Sequence, residues 1–398
     1  MATIPQLPPS LEFVNTWVDG IWEYLTLPVV LALVVGILAV DVGVLYILLL
    51  LVTHTPRLET ESEKHYITVT SDGKKKGGIR LPDLLDENVE AEVFMSVVVP
   101  AYNEELRIEM MLDEAVEFLN DEFPRDSEKK KMVNGKANGH VNGHANGNGG
   151  VNKREKKKGW EIIIVDDGSK DRTTEVVVEW MRKRVEKGEV KEGELRIVHL
   201  ERNRGKGGAV AHGMRHIRGQ YAVFADADGA TKFSDLRTLL TRLQSIESTR
   251  PSPTDPSKSE HHGISVGSRA HMVNSSAVVA RSWYRNFLMY GFHTFLHVIG
   301  IQKIKDTQCG FKLFTRDTAR LVFWEGHCEG WIFDIECLLI AEEERVGVEE
   351  VSVTWHEVEG TKMNLVWDSV RMAWDLVVLR AAYAVGVYGG VRRRWRRV

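Results

Sequence analysis

The sequence predicts an α/β protein with a mostly parallel, doubly wound sheet behind an N-terminal membrane anchor. Strand-like and helix-like runs alternate four times between Phe94 and Ala230, the pattern of a parallel sheet with helices on both faces. Polar motifs follow the strand-like runs, at the carboxyl ends where such sheets bind ligands. An apolar run over residues 27–52 precedes all of them.

Size and composition limit the possible functions. The chain has 398 residues, of which 43% are hydrophobic, enough to build the core of one large domain or two. A net charge of −4 excludes a global field that recruits nucleic acid. Cys309, Cys328 and Cys337 show no metal-ligand spacing, and an odd number of cysteines suits buried thiols better than a disulfide framework.

The apolar run over residues 27–52 is interrupted only by Asp41 and exceeds the ~20 residues that cross a membrane. It is too long for a cleaved signal peptide and lacks a basic flank before it. We expect a transmembrane anchor, with a re-entrant segment as the alternative, because a charge at mid-span is costly. Basic residues follow the run, so residues 1–26 are expected in the lumen and the rest in the cytosol.

Residues 53–92 are interpreted as a linker to the first strand, residues 94–100. Its valines are typical of a strand covered on both faces, and Pro100, Ala101, Tyr102 and Glu104 lie at its end. A helix is expected over residues 106–119. The Asn/Gly/Lys-rich tract over residues 126–158 has almost no apolar residues, which predicts a disordered insertion.

A second strand, residues 161–165, is followed by Asp166 and Asp167, and a third ends in the glycine-rich turn RNRGKGG. This turn is not a Walker A loop, because the GxxxxGK[ST] spacing is absent. We interpret Arg204 and Lys206 as charges that face a diphosphate at a helix start. A tight turn without a ligand is the alternative.

The motif FADADGAT follows the next strand and contains Asp226 and Asp228. In extended geometry residues two apart point to the same side, so both carboxylates can hold Mg²⁺ or Mn²⁺. A solvated acidic turn is the alternative. A cation at this place suits a nucleotide diphosphate, with Asp166 or Asp167 accepting hydrogen bonds from the base or ribose.

The second half of the chain is predicted to add a helix over residues 236–246, a Pro/Ser-rich loop over residues 250–262 and a strand that ends at Ser268 and Arg269. An aromatic and basic segment, residues 280–300, follows. The stretch over residues 361–398 is interpreted as an amphipathic helix with a basic tail on the anionic membrane surface. A second membrane span over residues 376–391 is the alternative.

Six motifs, in this order and spacing, resemble the family-2 inverting glycosyltransferases over roughly residues 25–360. They are VVVPAYNEE, IIIVDDGSKD, RNRGKGGAVAHG, FADADGAT, GSRAHM and DTQCGFKLF. The resemblance implies a GT-A fold over residues 93–360. It also implies UDP contacts from the Pro100–Glu104 turn and Asp166, and a metal-bound diphosphate at Asp226 and Asp228.

The resemblance is strongest to members that transfer glucose from UDP-glucose to dolichyl phosphate at the endoplasmic reticulum membrane during protein N-glycosylation. A phosphate monoester is already anionic near neutral pH, so it needs positioning more than a general base. Arg269, Arg281 and Arg285 are the candidates for holding it. Asp334 matches the position of a catalytic carboxylate in polysaccharide-making members, so a contact with the sugar or acceptor is expected, and capping of a helix is the alternative.

The sequence departs from related patterns in two places. Mannose synthases of the family usually continue the DxD with a Gln ligand, whereas this chain has Gly229, Ala230 and Thr231, so the third metal ligand stays open. The QxxRW motif of processive synthases is absent, which favours transfer of a single sugar. Another donor such as GDP-mannose, and an inactive membrane scaffold, are the alternative functions.

Overall fold

The computed structural model describes residues 27–86, 89–125, 158–251, 259–272, 306–358 and 365–388. The chain divides into two compact units, residues 1–53 and 54–398. The described part of the first unit consists of helix α1 (Leu27–Val52). Among the described residues, one helix, Pro28–Val52, is long and apolar enough to cross a membrane, and none of it is buried in protein. The predicted apolar helix is therefore present.

The second unit contains a nine-stranded sheet, a separate hairpin and flanking helices. The strands are β1 (His65–Val69), β2 (Lys75–Arg80), β3 (Val93–Ala101), β4 (Trp160–Asp166), β5 (Leu195–His199), β6 (Gly219–Ala225), β7 (Ser248–Pro251), β8 (Ser259–His262), β9 (Ile264–Ser268), β10 (Phe311–Thr315) and β11 (Val348–Ser352). The helices are α2 (Ile108–Glu122), α3 (Thr173–Glu186), α4 (Lys206–Met214), α5 (Leu236–Ile246), α6 (Arg316–Glu325), α7 (Phe333–Glu343) and α8 (Leu365–Ala384).

The order of the large sheet is β11-β9-β10-β6-β3-β4-β5-β1-β2. Strands β3, β4, β5 and β6 run parallel, and β10 is antiparallel to both of its neighbours. The chain builds outward from β3 to β5 and then returns to place β6 on the other side of β3. Such a reversal opens a crevice between the carboxyl ends of the two strands. The predicted mostly parallel α/β fold is confirmed.

The core lies on both faces of the sheet because side chains alternate along each strand. Val97 and Val99 of β3 pack on the face covered by α2, α3 and α5. Val98 packs on the opposite face, which α4, α6, α7 and α8 cover. Since both faces are covered, these strands are apolar at successive positions, as expected for the parallel part of a sheet.

Two segments differ from the sequence-based expectation. Residues 53–92, interpreted as a linker, contain β1 and β2, which extend the sheet beyond β5. The region over residues 250–262, predicted as a loop, contributes to the antiparallel pair β7 and β8, and its residues 252–258 lie outside the described part. Both errors concern strands of four to six residues, which are too short for a clear alternation of polar and apolar residues.

Helix α8 is apolar on two sides, which changes the predicted division of its faces. Met372, Leu376 and Leu379 are buried against the core, and Asp375, a polar residue of the predicted amphipathic helix, is also buried. Its carboxylate lies 3.4 Å from His54 Nε2. The face expected to contact the membrane, which carries Val370 and Trp374, is exposed, with Val370 60% and Trp374 57% accessible. The insertion over residues 126–157, the segment 280–300 and the tail after residue 388 lie outside the described residues.

Candidate active site

Asp226 and Asp228 lie directly after β6, at the crevice between β3 and β6. Both are partly exposed. The backbone turns at this point instead of continuing as a strand, and Gly229 adopts a positive φ of 68°, which glycine tolerates at no steric cost. Asp228 Oδ1 accepts a hydrogen bond from the Ala230 amide at 3.0 Å, so the turn fixes the position of this carboxylate.

Lys206 joins the acidic residues of the crevice. It is the first residue of α4, and its Nζ lies 2.6 Å from Asp226 Oδ1. Burial opposes the charge on Lys206, but the fields of Asp226, Asp334 and Asp228 outweigh it and raise the lysine pKa. The carboxylates of Asp226, Asp228 and Asp334 therefore all interact electrostatically with Lys206.

Lys312 is a functional candidate that the sequence analysis missed. It lies on β10, is fully buried, and its Nζ donates to Asp334 Oδ1 at 2.5 Å and to the Cys309 carbonyl at 2.7 Å. Burial raises the pKa of Asp334, although Lys312 and Lys206 oppose the shift. The signal was a lysine inside the otherwise apolar strand FKLFT, because a buried lysine requires a partner.

Gly310 lies against the carboxylate of Asp226. Strand β10 runs antiparallel to β6, so its first residue, Phe311, pairs with Ala225, and the residue before it faces Asp226. A Cβ atom on Gly310 would overlap the Asp226 carboxylate. This glycine belongs to the motif DTQCGFKLF, whose sequence alone indicates no role for it.

Asp166 and Asp167 both hold the surrounding loops. Asp166 accepts from the Ser169 amide at 2.8 Å and from Thr174 Oγ1 at 2.6 Å. Asp167 accepts from the backbone amides of Arg204 and Gly205 at 2.6 and 2.9 Å. Burial raises the pKa of Asp167 to about 7, against these two hydrogen bonds. Through these hydrogen bonds, the two aspartates stabilise the loops that border the crevice.

Arg204 lies elsewhere than the sequence suggested. Its Nε donates to Glu329 Oε1 at 2.8 Å and its Nη2 donates to the Arg57 carbonyl at 2.7 Å. The side chain is almost fully buried. The expected position facing a diphosphate is therefore not observed, because the guanidinium pairs with Glu329 at the other side of the turn.

The turn after β3 borders the crevice on the β4 side. Ala101 and Glu104 are buried, and Pro100 and Tyr102 are partly exposed. Asn103 has a φ of 54°, a conformation in which asparagine is enriched, and its side chain accepts from the Lys170 amide at 2.7 Å. This turn and the loop after Asp167 thus form one hydrogen-bonded wall. Glu104 itself pairs with Arg107.

Arg269 lies at the carboxyl end of β9 on the same edge of the sheet. Its Nε and Nη2 contact Asp306 at 2.7 and 2.9 Å, and its guanidinium lies 5.6 Å from the centre of the Trp355 ring. Burial opposes its charge, but Asp306 outweighs this effect and raises the arginine pKa, with a smaller contribution from Asp226. The Nη1 edge is not part of this ion pair. Arg281 and Arg285 lie outside the described residues.

The structure gathers Asp226, Asp228, Asp334 and Lys206 around one crevice and adds Lys312 and Gly310. Two partly exposed carboxylates beside each other form an oxygen donor set of the kind that Mg²⁺ and Mn²⁺ prefer. Gly310 makes room for the Asp226 carboxylate at this position.

Comparison of the sequence with known families and curated proteins identifies relatives of this chain. The model of Glycosyl transferase family 2 matches residues 150–299. The chain is 43% identical over 344 residues to the dolichyl-phosphate beta-glucosyltransferase of Saccharomyces cerevisiae, covering 86% of this chain and 91% of that protein. Identity to the Homo sapiens protein of the same name is 35% over 336 residues, covering 84% and 88%.

A solved structure with a low level of similarity to this chain is glucosyl-3-phosphoglycerate synthase from Mycobacterium tuberculosis in complex with uridine diphosphate. It shares 16% identity and a TM-score of 0.44 with this chain, covering 73% of this chain and 80% of that one. At this level the likeness decides neither substrate nor mechanism. The extensive identity to the two curated relatives, by contrast, places this chain in the family of dolichyl-phosphate beta-glucosyltransferases.

Proposed function

We propose that this protein transfers glucose from UDP-glucose to dolichyl phosphate with inversion, giving dolichyl β-glucosyl phosphate for protein N-glycosylation. The observation that carries the proposal is the cluster of Asp226, Asp228 and Lys206 at the crevice between β3 and β6. Family membership supports the choice of donor and acceptor. A phosphate oxygen of the acceptor forms a bond to C1 of glucose, and the bond between C1 and the diphosphate oxygen breaks.

Asp226 and Asp228 are the residues that would hold a divalent cation, Mg²⁺ or Mn²⁺. When bound, such an ion neutralises charge on the departing diphosphate. Lys206, whose Nζ contacts Asp226, holds this carboxylate in place and adds a positive charge at the same position. Gly310 makes room for the Asp226 carboxylate, since any side chain there would overlap it.

The nucleotide is proposed to lie along the wall formed by the turn after β3 and the loop after β4. Pro100, Ala101, Tyr102 and Glu104 border it on one side, and Asp166 and Asp167 on the other. Asp166 contacts its own loop, and Asp167 contacts the turn before α4. These contacts support a role of both aspartates in fixing the shape of the nucleotide site. Arg204 acts through the turn that Asp167 holds, not by contact with the diphosphate.

The acceptor phosphate is proposed to bind near Arg269. Its guanidinium is oriented by Asp306 and Trp355, which reduces the side-chain entropy lost when a phosphate binds. We propose that Arg281 and Arg285 complete the acceptor site. Asp334 contacts Lys312, so we assign it to positioning the lysines beside the sugar and not to proton transfer.

The substrate proposed here is a lipid, and the chain offers two apolar surfaces to a membrane. Helix α1 has the length and composition of a span. Helix α8 exposes Trp367, Val370, Trp374 and Val377, and tryptophan is favoured at membrane interfaces. We propose that the protein is anchored in the endoplasmic reticulum membrane with residues 54–398 in the cytosol.

The test is transfer of labelled glucose from UDP-glucose to dolichyl phosphate by the detergent-solubilised full-length protein, with Mg²⁺ or Mn²⁺. We expect Asp228→Asn to reduce the rate by a factor of at least about 100, the loss typical when a group that stabilises the departing charge is removed. Asp72→Asn, in the turn between β1 and β2, is the matched control and should transfer normally. Absence of a lipid-linked product, or preference for GDP-mannose, would overturn the proposal.

A further inference from the structure

A second group of potential ligands lies apart from the aspartate crevice. It consists of Glu59, His212 and His216, whose side chains each offer one ligand atom within 4.8 Å of the others. His212 lies in α4 and His216 lies two residues beyond its end, and the centres of the two rings are 4.9 Å apart. Glu59 belongs to the segment that precedes β1. His212 is fully buried and His216 nearly so.

Each imidazole is oriented by a backbone carbonyl. His212 Nε2 lies 3.0 Å from the Glu63 carbonyl, and His216 Nδ1 lies 2.6 Å from the Pro82 carbonyl. A carbonyl oxygen can only accept, so each of these nitrogens carries its hydrogen. Hydrogen bonds of this kind to backbone carbonyls fix the ring and the tautomer of metal-binding histidines.

The opposite nitrogens, His212 Nδ1 and His216 Nε2, are buried and have no hydrogen-bond partner among the described residues. Buried polar atoms without a partner are rare in proteins and require an explanation. Both atoms face the carboxylate of Glu59, at 3.5 Å from Oε1 and 3.7 Å from Oε2. The two lone pairs therefore face the two oxygens of one carboxylate.

The distances between the imidazole nitrogens and the Glu59 oxygens can be compared with two arrangements. A charge-assisted hydrogen bond between nitrogen and oxygen measures about 2.7–2.9 Å, so both pairs are too far apart for one. With metal–ligand bonds of about 2.0–2.1 Å in a tetrahedral site, neighbouring ligand atoms are roughly 3.4 Å apart. The observed separations, 3.5 Å to one carboxylate oxygen and 3.7 Å to the other, lie nearer to the second spacing.

The surroundings limit the kind of ion. Arg215 Nη1 lies 3.5 Å from Glu59 Oε1 and offsets part of the carboxylate charge. This weakens the site for Mg²⁺ or Ca²⁺, which depend on several oxygen ligands. An ion that binds through imidazole nitrogen depends less on that charge, and Zn²⁺ favours such ligands.

We propose that Glu59, His212 and His216 bind one Zn²⁺ ion, with a solvent oxygen as the fourth ligand. The ion would tie the segment before β1 to α4, the helix whose first residue, Lys206, contacts Asp226. We assign the ion to holding these two segments together and not to glucose transfer, because none of its three protein ligands belongs to the aspartate crevice. The proposal does not depend on the identity of the sugar donor or the lipid acceptor.

The test measures zinc in the full-length protein, purified in detergent without chelators, by inductively coupled plasma mass spectrometry. We expect roughly one zinc per chain, as for a single site of three protein ligands. His212→Gln and His216→Asn each keep the nitrogen that donates to a backbone carbonyl but remove the ligand nitrogen. Both variants should lose the zinc, and His65→Gln, a histidine outside the site, should keep it.

A second measurement uses the wild-type protein alone and therefore does not depend on how the variants fold. Removal of zinc with dipicolinic acid should lower the midpoint of thermal unfolding, and added ZnCl₂ but not MgCl₂ should restore it, because an ion that binds the folded state stabilises it. A protein that contains no zinc and shows no thermal shift with ZnCl₂ would overturn the proposal. Zinc that remains bound in both histidine variants would also overturn it.

Discussion

Gly310 illustrates how one missing side chain shapes the proposed site. A Cβ atom at this position would overlap the carboxylate of Asp226, which also contacts Lys206. We expect Gly310→Ala to destabilise the fold by about 1–3 kcal/mol, as overpacking does. We expect a larger loss in glucose transfer, because Asp226 must move.

The measurement for Gly310→Ala is the rate of glucose transfer at increasing Mn²⁺ concentration, together with the midpoint of thermal unfolding. Gly77→Ala is the matched control, since a Cβ there meets only ordinary van der Waals contact with Ile67. An unchanged rate and Mn²⁺ dependence in Gly310→Ala would contradict the role assigned to the glycine.

The three cysteines offer a test of burial. Burial raises the pKa of Cys309 to about 11 and raises the pKa values of Cys328 and Cys337 as well. Because the thiolate is the reactive form, the native protein should take up almost no maleimide between pH 7 and pH 8. Mass spectrometry should show three labels after denaturation, and rapid labelling of the native protein would contradict the buried positions.

Asp167 predicts a specific dependence of stability on pH. Burial raises its pKa to about 7, above the value of about 3.9 in an unfolded chain. Between these two values the folded protein binds more protons than the unfolded one, so this residue makes the free energy of unfolding fall as pH rises from about 4 to about 7.

Urea denaturation at several pH values, compared between wild type and Asp167→Asn, measures this effect. Asparagine does not titrate but can still accept from the amides of Arg204 or Gly205. The difference in free energy of unfolding between the two proteins should change across this pH range and level off above it. A constant difference would show that Asp167 is already ionised at low pH in the folded protein.

Helix α8 carries the prediction that belongs to a whole element. One side of the helix packs on the core through Met372, Leu376 and Leu379, while Trp367, Val370 and Trp374 remain exposed. A large exposed apolar stripe commonly marks a surface that binds a partner or a membrane. Because one apolar side packs on the core and another is exposed, the helix does not divide simply into a polar and an apolar half.

We predict that the exposed face of α8 contacts lipid. A fluorophore attached to Val370→Cys in proteoliposomes should be quenched by brominated lipids more strongly than one attached to the exposed control Lys187→Cys. The native cysteines should not interfere, because all three are buried. Equal quenching at the two positions would show that α8 faces water.

Across the molecule, the sequence was informative where a local pattern decides the outcome. The valines of β3 and the isoleucines of β4 predict strands that both faces of the sheet cover, and the structure contains them. Asp226 and Asp228 were found because the end of a buried strand is a position where polar residues stand out. Short strands such as β1 and β7 were missed because four or five residues carry too little periodicity.

Contacts between residues that are distant in the chain could not be predicted from the sequence. Lys312 and Asp334 form a buried ion pair, yet neither motif predicts that its residue contacts the other. Arg204 was assigned to a diphosphate because it stands in a glycine-rich turn, whereas Glu329, more than a hundred residues later, pairs with it. Glu59 and His212 likewise meet only because β1 joins the sheet beside β5.

The most direct test of the proposed mechanism is an experimental structure of the full-length protein with UDP-glucose and Mn²⁺. The account predicts one Mn²⁺ ion bound by Asp226 and Asp228 between β3 and β6, with the diphosphate on the ion and C1 of glucose facing Arg269. A nucleotide bound away from this crevice, or a Mn²⁺ ion without contact to either aspartate, would contradict it.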